Sequence, residues 1–155
     1  MYAKQKARGF SLVELVIVVV IVGLLAAIAI PRFSRGAAGA TDSALAGDLA
    51  VLRNAIEMYA AEHGGTYPTV ADFSDQLTTY SDAAGNTNAS KTAVFEFGPY
   101  LHAVPALKDG DAAGDDGILG VTGTPSTETP AGNVGWLYDE DTGQIWANEA
   151  DHFGR

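Results

Sequence analysis

The chain has no cysteine and little positive charge, with nine Lys or Arg against nineteen Asp or Glu in 155 positions. Without cysteine there is no disulfide framework, no thiol nucleophile and no thiolate metal ligand, so a domain built on this sequence holds together by packing alone. That absence favours neither an oxidising nor a reducing compartment. The acidic balance excludes nucleic-acid binding by phosphate neutralisation. Histidine is also scarce: His63, His102 and His152 fall in different segments with no metal-ligand spacing. No Gly-rich phosphate loop follows a predicted strand. The acidic pairs lie in predicted loops, where solvated charge is the ordinary state. The chain is therefore not expected to be an enzyme, and its length suffices for one small domain beside one apolar segment.

What is present starts near the N-terminus. Lys4 to Pro31 reads as a short basic leader, Gly9-Phe10, and an apolar run broken only by Glu14. A charged group at the centre of a transmembrane helix costs roughly 2.5–3.5 kcal/mol on insertion scales, so a carboxylate inside such a run needs a partner. A secretory signal peptide would place small residues such as Ala26-Ala27 or Ala29 at its cleavage site, but this run is longer than a usual signal core. A plain anchor needs about 20 apolar residues, which Phe10 to Ile30 supplies, yet it leaves Glu14 unexplained. Lys4, Lys6 and Arg8 precede the run with no acidic residue among them, which predicts a cytoplasmic N-terminus with the remainder outside.

The hexapeptide Gly9-Phe-Ser-Leu-Val-Glu14 resembles the class III signal of type IV pilins and type II secretion pseudopilins. The resemblance implies that a membrane-embedded prepilin peptidase cuts between Gly9 and Phe10 and that Phe10 is then N-methylated. It implies inner-membrane residence before assembly and an inner-membrane assembly platform, with minor pilins or pseudopilins and further copies of this chain as partners. The assembled product is a periplasmic pseudopilus or an extracellular pilus. The carboxylate of Glu14 and the α-ammonium of Phe10 on neighbouring subunits would neutralise each other, whereas either alone is an uncompensated buried charge. Without Lys4, Lys6 and Arg8 the chain has six cations against nineteen carboxylates, a net charge of −13.

Pro31 removes an N–H donor and clashes with the preceding turn, so a kink is expected there, with Gly23, Gly36 and Gly39 weakening the region further. From Thr41 the spacing of Leu45, Leu49, Leu52, Ile56 and Tyr59 predicts an amphipathic helix over about 41–62, with Asp48, Arg53 and Glu57 on its polar face. Gly64-Gly65 and Pro68 end it. Thr69 to Asp72 resembles a capping box opening a short helix whose Val70, Phe73 and Leu77 share one side. Ser81 to Ser90 reads as a polar loop and Val94 to Phe97 as a weak first strand. Gly98-Pro-Tyr-Leu101, with Pro105 beyond it, is similar to the segment preceding the sheet of major pseudopilins.

Lys108 to Asn133 lacks apolar periodicity and reads as a long loop. Asp109, Asp111, Asp115 and Asp116 cluster in it, on a Gly-rich stretch whose carboxylates could converge on calcium or stand in solvent. The spacing is not that of an EF-hand, since Ala113 and Gly120 occupy its fifth and twelfth positions. Major pseudopilins bind calcium in a C-terminal loop, but their Trp-Gly-Asn-Pro-Tyr-type sequence is missing here, so their ligands do not transfer to this chain. Val134 to Tyr138 and Gln144 to Ala147 flank Asp139 to Gly143 as a β-hairpin, with Trp136, Leu137, Tyr138, Ile145 and Trp146 packing on the helix or forming an aromatic ligand surface.

The expected organisation is a leader over 1–9, a transmembrane and assembly half-helix over 10–31, and a globular head over 32–155 with its sheet and loops over about 92–150. The fold class is α+β: a long N-terminal helix, kinked near Pro31, packed on a small antiparallel sheet. The leading function is a filament subunit of a type II secretion pseudopilus. The alternatives are a surface type IV pilin for adhesion or twitching, and a signal-anchored periplasmic binding module that does not polymerise.

Overall fold

The computed structural model describes residues 10–125 and 134–149, the side chains of 29–38 excepted. The leader lies outside the described residues, as does the side chain of Pro31 on which the expected kink rests. Two compact units divide at Ala40/Thr41.

Helix α1 (Leu12–Glu62) supplies residues to both units. Its first part is dense in Val and Ile, which in water favour strands. In an apolar medium only a structure that satisfies every backbone group internally survives, and a single segment does so as a helix. Its backbone is helical through Pro31. In the second unit Leu45, Leu49, Leu52, Ile56 and Tyr59 are all buried, as their spacing predicts, and Ala55 joins them. The helix closes where Gly64 and Gly65 take positive φ of 67° and 89°, and the Gly65 N–H donates back to the Ala60 carbonyl at 2.8 Å.

Helix α2 (Phe73–Thr78) follows. It begins later than the Thr69 motif suggests. The Asp72 N–H does donate to Thr69 Oγ1 at 3.3 Å, but this bond organises a turn ahead of the helix. Phe73 and Leu77 enter the core, and Val70 packs on its edge.

Strands β1 (Tyr80–Ser81) and β2 (Thr87–Asn88) pair antiparallel at the two ends of the polar loop. Val94 to Phe97 does not form the expected strand. Only Phe97 makes a bridge, to Ser81, while Val94 stays 63% exposed. The alternation there is weak, and Gly98 turns the chain at φ +72° directly after it.

Strands β4 (Trp136–Asp139) and β5 (Gln144–Ala147) form the predicted hairpin, with Leu137 opposite Trp146 and Tyr138 opposite Ile145. Strand β3 (Ile118–Gly120) lies inside the stretch expected to be a structureless loop and pairs parallel with β4. Two apolar residues between glycines carry no periodicity, so this strand owes its existence to tertiary pairing. Trp136, Tyr138, Ile145 and Ala147 join the α1 stripe, Phe73 and Leu77 in one core cluster. The Tyr138 hydroxyl donates to the Pro68 carbonyl at 3.0 Å, and burial pushes its pKa up, keeping it neutral.

Asp139 ends β4 almost fully buried. Its Oδ2 accepts the Gly123 N–H at 2.8 Å and its Oδ1 the Asp141 N–H at 3.0 Å, so one carboxylate holds both the hairpin turn and the chain after β3. The Gly123 bond, chiefly, lowers its pKa. A carboxylate with a depressed folded-state pKa stabilises fully above its unfolded value near 3.9, and the contribution is lost as pH falls through the folded value. Asp139→Asn is therefore expected to lower the melting temperature at neutral pH and to flatten its fall between pH 5 and pH 2.5, as followed by circular dichroism. A slope unchanged from wild type would remove Asp139 from the acid sensitivity. Leu52→Ala should cost about 2–5 kcal/mol, the range for deleting a buried Leu side chain. Urea melts of detergent-solubilised protein, read by Trp136 and Trp146 fluorescence, measure it.

Candidate functional site

The start of α1 carries the one organised cluster that involves the singled-out N-terminal residues. The Ser11 carbonyl accepts the Leu15 N–H at 3.2 Å, which makes Ser11 the N-cap of the helix. Ser11 Oγ accepts the Glu14 N–H at 3.2 Å, while Glu14 Oε2 accepts the Ser11 N–H at 2.8 Å. This is a reciprocal capping box, in which each side chain satisfies a backbone donor that the helix leaves orphaned. Glu14 is thereby held back over the first turn, at the end of the helix where Phe10 sits. The role of Ser11 went unread in the sequence although its signal, Ser-x-x-Glu ahead of an apolar run, was present.

Around this cluster the described helix is apolar on every side. Leu12, Val16, Val20 and Leu24 are each at least 50% exposed, as are their large apolar neighbours up to Ile28. Phe10 is 82% exposed. A helix hydrophobic all round belongs inside lipid or inside a bundle. Among the described residues no helix is long and apolar enough to cross a membrane. The stretch with described side chains, 12–28, is about 26 Å of helix at 1.5 Å per residue, against a hydrocarbon core of about 30 Å. Gly9 lies outside the described residues, so of the expected cleavage pair only Phe10 is placed.

The four loop aspartates are not brought together as a metal centre. Among the described residues no group of three or more His, Cys, Asp or Glu is placed to hold an ion. Asp109 Oδ1 accepts the N–H of Gly110 at 2.9 Å, and Asp111 and Asp116 are exposed. Asp115 is structural: its Oδ1 accepts the N–H groups of Gly117 at 2.7 Å and Gly135 at 3.2 Å, and its carbonyl accepts the Leu107 N–H at 2.9 Å. A Cβ on Gly135 would lie 2.1 Å from that carbonyl oxygen, so only glycine allows this approach of β4 to the loop. The loop is tied to α1 by Lys108, whose Nζ lies 3.6 Å from Asp48 Oδ2.

The hairpin aromatics offer no ligand surface, since Trp136 and Tyr138 are fully buried and Trp146 is 5% exposed. At the far end of α1, His63 stacks on Tyr59 with ring centroids 3.8 Å apart, and its Nε2 lies 3.1 Å from Ser81 Oγ. The histidine thus belongs to the packing between α1 and β1. A groove of about 370 Å³ lined by Arg53, Glu57 and Thr142 to Trp146 contains no constellation with chemistry of its own.

Residues 4–30 match the family model of the prokaryotic N-terminal methylation motif. The chain is 30% identical over 122 residues to the type II secretion system core protein G of Escherichia coli strain K12, covering 77% of this chain and 75% of that protein. It is 32% identical over 81 residues to the protein of the same name from Aeromonas hydrophila, covering 52% of this chain and 56% of that one. To the type IV major fimbrial protein FimA of Dichelobacter nodosus it is 44% identical over 54 residues, 35% of each chain. Apart from the Escherichia coli protein, the match therefore spans roughly half or less of these relatives' length. No solved structure matches the chain significantly.

Asp115→Ala should lower stability by roughly 1–3 kcal/mol, because it strands two backbone donors. Asp111→Ala and Asp116→Ala should melt within error of wild type. Thermal melts of the three variants decide this, and equal losses in all three would mean that the aspartates act as a group.

Proposed function

Because the chain belongs to the type IV pilin and type II secretion pseudopilin family, we propose that it polymerises through its N-terminal helix into a pseudopilus that drives protein export. The observation that carries the secretion version is the reach of the similarity. The match of 122 residues to core protein G is about twice the length of the chain up to the end of α1 at Glu62, so it extends into the head. The 54-residue match to the fimbrial protein is shorter than the 62 residues of the chain up to the end of α1.

In this reading a prepilin peptidase cuts between Gly9 and Phe10 on the cytoplasmic side, and Phe10 is methylated on its new α-amine. The processed subunit waits in the inner membrane. An assembly platform then extracts it so that the apolar residues 12–30 exchange lipid for the same residues of other copies. Glu14 selects the axial position, because its carboxylate is compensated only when a neighbour's α-ammonium lies beside it. Pro31 supplies the local weakness in the helix that lets the lower half bend during extraction. The head is displayed outward, with its acidic surface facing the periplasm.

A surface pilin is the second reading, favoured by the higher identity to the fimbrial protein over its shorter stretch. Filaments sheared from cells at native expression separate the two. Long filaments labelled by an antibody to the head support a pilus, and envelope-confined label supports a pseudopilus. Glu14→Ala is expected to abolish polymer and export while leaving the subunit inserted, and intact mass should show the processed chain beginning at a singly methylated Phe10. Normal function in Glu14→Ala would instead indicate an anchored module that never polymerises.

A further inference from the structure

We propose that His63 is a proton-operated latch in the head: with two protons on its ring it closes the end of α1 onto the loop between β1 and β2, and on losing one it releases that loop. The ring is 8% exposed, and both of its nitrogens face backbone carbonyls. Nδ1 lies 2.8 Å from the Tyr59 oxygen, one turn back along α1, and Nε2 lies 3.0 Å from the Asp82 oxygen, just after β1. A carbonyl only accepts. A ring protonated on one nitrogen therefore satisfies one of these contacts and sets a lone pair against the other oxygen, whereas a ring protonated on both donates to each. When the proton leaves Nε2, the donor within reach is the Ser81 hydroxyl, whose oxygen lies 3.1 Å away. The neutral ring thus keeps its hold on Tyr59 and Ser81 and gives up the Asp82 carbonyl. That carbonyl also accepts the Gly85 N–H at 3.0 Å, so the loop is built on the group that His63 holds.

The surroundings suit a cation. His63 stacks face to face on the Tyr59 phenol, with ring planes 8° from parallel, so an imidazolium meets the negative face of an aromatic ring. Phe97 packs against the other side of the site at 61°, with centroids 5.1 Å apart. On α1 the neighbouring Glu62 carboxylate accepts the Tyr100 hydroxyl, and beyond β1 the Asp82 carboxylate accepts the Asn86 side-chain N–H and the Ala84 and Asn86 backbone N–H groups, each at 2.9 Å. The Asn86 side chain, first among these donors, holds the Asp82 pKa low and keeps that group charged. The charge of Asp72 also reaches Tyr59. On β1, Lys91 stands over the Tyr80 ring at 6.0 Å, one residue before Ser81. A cavity of about 200 Å³ lined by Tyr59, His63, Thr66 and Ala83 to Gly85 gives water a route to the ring. The head therefore holds a device that reads the acidity of its compartment, independently of how the N-terminal helix assembles.

The test follows the full chain, labelled with nitrogen-15 in detergent micelles, between about pH 5 and pH 8, the span in which histidine changes charge. Long-range proton–nitrogen NMR spectra show which ring nitrogens carry a proton. Exchange of the Asp82 and Gly85 amides with water, corrected for the intrinsic effect of pH, reports the loop. Both nitrogens of His63 are expected to be protonated at the acid end and one at the alkaline end. Loop protection should fall in step with the ring by on the order of tenfold, the scale of one hydrogen bond from a charged donor. Titration of the exposed His102 should leave the loop unmoved. His63→Phe keeps an aromatic ring on Tyr59 but removes both donors, and is expected to show the released exchange rate at both ends. A His63 ring with a bare nitrogen at the acid end would overturn the latch. A ring still doubly protonated at the alkaline end would overturn it as well, leaving a fixed clamp. Loop protection that does not follow the ring, or full pH dependence retained in His63→Phe, would likewise contradict it. The ring spectra and exchange rates of the wild type decide the matter even where His63→Phe does not fold.

Discussion

A single carboxylate in an otherwise apolar helix is the constraint from which the rest follows. Glu14 is stable in lipid only at a cost, and stable in a helical bundle only beside a positive charge. The capping box with Ser11 partly relieves the first condition, and in the proposed filament the free amine of a processed neighbour would meet the second. A segment that satisfied both equally well would have no reason to leave the membrane. The described helix is apolar on every face up to residue 28, so bundle and bilayer compete for its surface, and in the proposed filament the charge pair chooses between them and sets the register.

The head has to solve a different problem. It holds a folded domain on one end of that helix without cysteine, and it does so by making the second half of α1 one wall of the core. Leu45 to Tyr59 face Phe73, Leu77 and the hairpin in a single cluster. Backbone-directed carboxylates then fasten the loops: Asp139 holds the chain after β3 to the hairpin turn, and Asp115 holds the 105–117 segment against the entry to β4. Much of what looks in the sequence like loose acidic charge is therefore structural. The residues proposed to bear on assembly, Phe10 and Glu14, lie in the N-terminal unit.

Legibility in the sequence followed the length scale of each signal. The α1 stripe repeats over several turns and the β4–β5 hairpin sets two short apolar, aromatic-rich runs on either side of a glycine-bearing turn, so both were readable. Strand β3 was not, since Ile118 and Leu119 alone carry no period and form a strand only because β4 lies alongside. Val94 to Phe97 had the opposite fault: a faint alternation of which only Phe97 finds a partner, Ser81. The four loop aspartates looked equivalent in the sequence, and only the approach of Gly117 and Gly135 singles out Asp115. At the helix start Glu14 stood out because it was alone among apolar residues, whereas Ser11 passed unnoticed because serine after Gly-Phe looks unremarkable until its hydroxyl is seen facing the Glu14 N–H.

The most direct measurement of the central claim is a cryo-electron microscopy reconstruction of filaments assembled from the native chain, at a resolution that places side chains at the start of α1. The account predicts the α1 helices bundled along the axis, with the amine nitrogen of each Phe10 within about 4 Å of a neighbouring subunit's Glu14 carboxylate, the separation of a formed ion pair. A filament in which Glu14 faces solvent or lipid, or contacts no amine of another subunit, would contradict it.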